Sequence, residues 1–146
     1  MVTENLKSYF AGLFDGEGYI TIERRRGKKY ENRKDNSLYA RASIEIINRE
    51  PLELAREIWG GVLYEHKRKE KNQRMLYTWI LSCRMAGRFL KDIYPYMKIK
   101  HKQAELIFKL HDRIDALRKE NIRRLNAEEV AERKKLYLEI RRLKRI

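Results

Sequence analysis

The stretch FAGLFDGEGYI, residues 10–20, decides how this chain is read. Upstream of its acids, NLKSYFAGLFD (residues 5–15) puts Leu6, Phe10 and Leu13 on one helical face, with Tyr9 and Phe14 beside it. Downstream, YITIE (residues 19–23) alternates as a strand does. Between them Gly12, Gly16 and Gly18 fall within seven positions, and Gly16 and Gly18 are expected to end the helix. A helical glycine costs about 1 kcal/mol relative to alanine, so close packing or a site must offset the cost. Asp15 and Glu17 sit at the negative end of the helix dipole, a poor place for carboxylates until a cation arrives. Carboxylate and backbone oxygens are the ligands that hard divalent cations prefer. On spacing alone the simpler reading, an acidic helix end with glycine turns, comes first.

Working outward, RRRGKKYENRKDNS (24–37) is polar, charged and turn-rich, a hairpin loop. LYARASIEII (38–47) alternates cleanly, with Ala40, Ala42, Ile44 and Ile46 on one face and Tyr39, Arg41, Ser43 and Glu45 on the other. Asn48 precedes REPLELAREIWGG (49–61), a helix with Pro51 in its first turn and two glycines closing it. VLYEHKRKEKNQRMLYTWILS (62–82) reads as a second hairpin with a basic tip. In its return strand Tyr77 and Trp79 alternate with Thr78 and Ile80, and either pair suits the core. RMAGRFLKDIY (84–94) is a short helix stopped by Pro95. A long helix follows from about Lys100 to Asn121, striped by Gln103, Ile107, Leu110, Ile114 and Leu117. Asn126 is an N-cap for a last, basic helix reaching about Arg145.

The order α-β-β-α-β-β-α, with further helices behind it, predicts an α+β fold. Its antiparallel four-stranded sheet carries helices on one face and a basic helix at the C-terminus. Residues 1–121 are expected to form the main domain, and 122–146 a basic helical extension packed on it. The 146 residues suit one core, and the net charge of +14 suits a polyanion, nucleic acid before an anionic membrane surface. Cys83 is the sole cysteine, so neither an internal disulfide nor a thiolate metal cluster is expected. No apolar run approaches the ~20 residues of a membrane span, and no secretory signal is present. The expected setting is intracellular, in cytoplasm, nucleoid or organelle matrix, without membrane association or secretion.

FAGLFDGEG (10–18) resembles the signature of the LAGLIDADG homing endonucleases. Ala11, Gly12, Leu13, Asp15 and Gly18 match letter for letter, Phe14 is a hydrophobic replacement, and Glu17 stands for the second Asp. The element order extends the resemblance over about residues 4–118, and KIKHKQAEL (98–106) resembles the family's basic stretch before its closing helix. The resemblance implies a site-specific double-strand DNA endonuclease that cuts a long near-palindromic target and leaves short 3′ overhangs. It implies Mg²⁺ as cofactor, with Mn²⁺ substituting and Ca²⁺ binding without efficient cleavage. Partners would be double-stranded DNA and a second copy of the chain, since one motif copy implies a homodimer. No small-molecule substrate is expected. An encoding intron is the expected genetic home.

Residue by residue, the resemblance makes Glu17 the metal ligand, with the Gly16 carbonyl beside it. Lys100 would stabilise the transition state or polarise the attacking water, with Lys98 and Lys102 competing for the role, and Asn48 would order water, although Asn48 equally suits a helix N-cap. Where some relatives carry a basic residue four positions after that Asn, this chain has Leu52, so Arg49 or Arg74 would substitute or one cation would be missing. Tyr9, Ala11, Gly12 and Asp15 are placed at the subunit interface, Asp15 also shaping the helix end. The polar strand series Tyr19, Thr21, Glu23 and Arg25, then Tyr39, Arg41, Ser43 and Glu45, then Tyr64, His66 and Arg68, is the expected DNA face. A two-stranded ribbon fits the major groove. Arg25 and Arg41 are the expected guanine contacts, while Arg26, Lys28, Lys29, Arg33, Lys67, Lys69 and Arg74 would meet phosphates. His111 falls among helical core positions and is expected to be structural. Two other readings use the same charge: a non-cleaving intron-splicing maturase or nucleic-acid-binding regulator with this fold, and a generic basic RNA-binding protein, which leaves the motif unexplained.

Overall fold

The computed structural model describes residues 2–26, 38–67, 74–122 and 124–144. Helix α1 (Glu4–Glu17) begins where the Thr3 hydroxyl accepts the Leu6 N–H at 3.2 Å, with Glu4 in its first turn. It runs through Gly16 rather than ending there, and Gly18 closes it. Gly18 has an ordinary extended backbone, but a Cβ there would lie 2.4–2.5 Å from the Phe14 ring and carbonyl. Strand β1 (Gly18–Arg24) follows without a loop. Then come β2 (Leu38–Ile46), α2 (Arg49–Trp59), β3 (Val62–His66), β4 (Leu76–Ser82), α3 (Cys83–Ile93), a 3-10 turn (Tyr94–Tyr96), α4 (His101–Lys119) and α5 (Ala127–Leu143). This is the expected α+β order, with five helices and a four-stranded antiparallel sheet among the described residues.

The strand order is β1-β2-β4-β3. Ile20, Ile22, Ala40, Ala42, Ile44, Trp79 and Leu81 turn inward, against Phe10, Ala11 and Phe14 of α1, Leu52 of α2 and Phe89 of α3. The return strand is thereby resolved: Tyr77 and Trp79 face the core, and Thr78 and Ile80 face out. Edge-to-face rings knit this layer, with Trp79–Phe89 at 4.9 Å, Phe14–Phe89 at 5.3 Å and Phe10–Trp59 at 5.2 Å. The buried Trp79 indole N–H donates to the Gly60 carbonyl at 2.8 Å.

Helix α5 starts at the expected cap, Asn126 Oδ1 accepting the Glu129 N–H at 2.8 Å. Burial alone would raise the pKa of the Glu129 carboxyl, but hydrogen bonds from Arg113 and Arg133 outweigh it and hold the group below its ordinary value. That triad binds α4 to α5 around an almost fully buried Arg133. Ile140 is fully buried in the common core. The helix runs antiparallel to β1: Arg24 lies over the Tyr137 ring, and Lys144 reaches Tyr19 and Thr21. An edge strand exposes unpaired N–H and C=O groups, and α5 flanks this one.

Candidate functional site

Three segments meet at the C-terminal end of α1. Asp15 is buried, and its carboxylate accepts the Lys98 N–H at 2.6 Å and the Lys100 N–H at 3.1 Å. The Lys100 ammonium donates to the Asp15 carbonyl and, at 3.3 Å, to that of Phe14. A cation thus caps carbonyls at the negative end of the helix, that of Phe14 also accepting the Gly18 N–H. Asp15 therefore shapes the helix end, and its oxygens are committed to main-chain amides of its own chain. Glu17, one turn-corner away, is exposed and has no hydrogen-bond or ionic partner among the described residues. The ammonium is thus fixed on the Asp15 carbonyl, two residues before the exposed Glu17 in sequence.

Asn48 stands at the same end of the sheet: Ile44 pairs with Gly18, and β2 continues past it toward Asn48. It occupies the N-cap position of α2 but makes no side-chain capping hydrogen bond, which leaves its amide for another partner. Leu52 is fully buried in the core and stands apart from this site. Arg49 is held by Glu53 and Glu65 and lies over Tyr77, while Arg74 is exposed.

The outward side of the sheet forms cross-strand rows. Tyr19, Ser43, Ile80 and Val62 make one; Glu45, Thr78 and Tyr64 make the next; Thr21 faces Arg41, and Glu23 faces Tyr39. Thr78 donates to Glu45 at 2.8 Å, and Tyr64 stacks near His66. Val62 and Ile80 were absent from the expected reading face because apolar residues on a polar series carry no sequence signal of their own. Thr21 is on this face yet only 2% exposed, because Lys144 donates to its hydroxyl and lies over the Tyr19 ring at 4.0 Å. Arg25 falls beyond the end of β1, where its guanidinium stacks on Tyr39 and donates to Cys83 Sγ at 3.5 Å. It thereby turns from the sheet face toward the flank. Arg26 and Lys67 are exposed just past the ends of β1 and β3; Lys28, Lys29, Arg33, Arg68 and Lys69 lie outside the described residues.

Of the four residues expected at a subunit interface, Tyr9 and Gly12 are exposed, while Ala11 and Asp15 are buried. Ala11 is 0% exposed, packed inside its own core, and so unavailable to a second subunit. Tyr9, half exposed, and Gly12 and Gly16 form the outer stripe instead. A Cβ at Gly12 or Gly16 would meet nothing within 4 Å. His111 is partly buried against Gly87, and burial, with help from Lys91 and Arg84, lowers its pKa and favours the neutral imidazole.

No protein-family model and no curated protein sequence matches this chain. Solved structures do. The archaeal intron-encoded homing endonuclease I-Vdi141I, complexed with DNA, superposes with a TM-score of 0.71 at 21% identity, over 96% of this chain and 85% of that one. The homing endonuclease I-CvuI, bound to DNA in the presence of Mg, gives 0.60 at 18% identity over 89% and 93%, and a second I-CvuI complex was formed in Ca. The LAGLIDADG meganuclease I-AabMI, bound to uncleaved DNA, gives 0.58 at 21% identity, over 90% of this chain and 43% of its own. These superpositions, with the signature at the end of α1, establish that the chain has the fold of the LAGLIDADG homing endonucleases.

Proposed function

We propose that this chain is a homodimeric, site-specific double-strand DNA endonuclease that hydrolyses one phosphodiester on each strand of a near-palindromic target and leaves short 3′ overhangs. The observation that carries the reading is the end of α1, where Lys100 caps the Asp15 carbonyl and an exposed Glu17 follows two residues later, at the start of the sheet. The oxygen donors at Glu17 and Gly16 fit a hard divalent cation. When bound, such a cation supplies positive charge at the scissile phosphate and an acidified water. Mg²⁺ is the ion proposed, with Mn²⁺ able to replace it and Ca²⁺ supporting binding without efficient cleavage. I-CvuI complexes with DNA were formed with Mg, where the DNA was not cleaved, and with Ca, which supports a divalent cation without selecting the ion.

Lys100 is fixed by two carbonyls and by the anchoring of its own N–H, so its charge needs no reorganisation to stabilise a developing oxyanion. Asn48 would order water, a role that its lack of a side-chain capping bond supports. The sheet face reads bases, with Arg41, Tyr64 and His66 among its described readers, and the exposed cations just past the ends of β1 and β3 meet phosphates. The open stripe of Tyr9, Gly12 and Gly16 packs on its copy across a two-fold axis, which brings one Glu17 to each strand.

Incubating the chain with a randomised palindromic duplex library and Mg²⁺, beside Glu17→Gln, tests the reading. Cleavage by the wild type, with DNA bound but uncut by Glu17→Gln, is the expected result. Wild-type binding without cutting in Mg²⁺ or Mn²⁺ sinks the enzyme.

A further inference from the structure

A cavity of about 1020 Å³ opens on the flank of the molecule, between the start of β2, α3 and the far half of α4. Its origin is a mismatch of strand lengths. β4 ends at Ser82, opposite Arg41, and Cys83 turns the chain into α3 with φ of +56°. Leu38, Tyr39 and Ala40 therefore have β1 on one side and the cavity on the other. The floor is apolar, made by Leu38, Ile114, Leu117 and Leu125. The rim is basic, with Arg84, Arg88, Lys91, Arg118 and Arg124 around it.

Asp115 is the one acid among the described lining residues, and it already pairs with Arg84 at 3.2 Å. Some arginines elsewhere on the surface are neutralised by carboxylates, as Arg49 is by Glu53 and Glu65 and Arg142 by Glu139. Arg88, Arg118 and Arg124 have no such partner among the described residues. Like charges gathered in one concavity raise each other's energy until an anion enters, and a field of one sign in a cleft concentrates such anions.

We propose that this cavity is a second nucleic-acid site, separate from the outward sheet face, that takes a single-stranded polynucleotide. An unstacked base rests on the apolar floor while flanking phosphates meet Arg88, Arg118 and Arg124. A duplex keeps its bases stacked and paired, and cannot offer one to the floor; a single strand can. The site shares Tyr39 with the outward sheet face but depends neither on Glu17 nor on a second subunit.

The test uses the full chain and a short fluorescein-labelled oligo(U) RNA, with oligo(dT) as a second probe, read by anisotropy at fixed salt. In R88E/R118E, which reverses two exposed, unpartnered cations, oligo affinity is expected to fall by about tenfold or more. Binding of a long mixed-sequence duplex should change far less, and Arg41→Ala on the sheet face should show the opposite pattern. Either sugar supports the proposal, as does photo-crosslinking of a 4-thiouridine strand to α3 and α4 peptides. Unchanged oligo affinity in R88E/R118E overturns it, as does equal loss of strand and duplex. Displacement by ATP at concentrations matching the oligonucleotide overturns it in favour of a free nucleotide. Thermal unfolding of R88E/R118E, expected to match the wild type, separates lost binding from lost structure.

Discussion

Replacing Gly12 and Gly16 together by alanine separates what the isolated chain needs from what an assembly needs. Both lie inside α1, and an added Cβ at either meets nothing within 4 Å. Each alanine recovers helix propensity of about 1 kcal/mol, so the double variant should stabilise a dilute monomer by up to about 2 kcal/mol. The same two methyls enter the proposed interface from both subunits. Overpacking a well-fitted contact costs about 1–3 kcal/mol, and symmetry doubles every clash. A net penalty of only about 2 kcal/mol weakens dimerisation roughly 30-fold. Urea unfolding below the dissociation constant reads the first effect, and sedimentation equilibrium of the native protein reads the second. Opposite signs are expected. If the variant is more stable and associates as tightly as the wild type, α1 does not carry the interface. If the dilute monomer is less stable, the open space seen beside both glycines is wrong.

Asp15→Ala strands two main-chain N–H groups at Lys98 and Lys100, each bonded to a charged acceptor, so unfolding stability should drop by about 3 kcal/mol in urea titration. Gly18→Ala drives a methyl into the buried Phe14 ring and carbonyl and should cost about 2–3 kcal/mol, whereas its backbone angles alone forbid nothing. His111 has a lowered pKa in the folded chain, chiefly from burial, so the unfolded state binds the proton first. Its contribution is complete above the unfolded value near 6.5 and is lost as pH falls toward the folded value. The slope of stability against pH just below 6.5 should therefore flatten in His111→Gln, as measured by denaturation midpoints across that range.

Where sequence and structure agree, the information was local. The alternation of residues 38–46 assigned both faces of β2, and Asn126 capped the helix it preceded. The end of α1 stands out as a candidate site through its resemblance to a family signature, since on spacing alone its two acids read first as an ordinary helix end. The return strand was not legible: Tyr77, Thr78, Trp79 and Ile80 all suit a strand, and only the distant Phe89 and Gly60 select which pair turns inward. Ala11 looked like an interface residue because small size serves a core as well as a contact between subunits. Thr21 is covered by a lysine more than a hundred positions later, and Arg133 is buried by a carboxylate that binds two helices at once. The flank cavity arises because β4 stops before β2 does, a difference that no single segment contains.

The clasp between Asp15 and the amides of residues 98 and 100 has a consequence for retargeting. None of its hydrogen bonds passes through an outward-pointing side chain of the sheet. Under the proposed function, recognition residues on β2, β3 and β4 could therefore be exchanged, by drift or by an engineer, while Lys100 stays fixed to the end of α1. Altered preference and preserved chemistry become separable traits, inherited through different parts of one small fold.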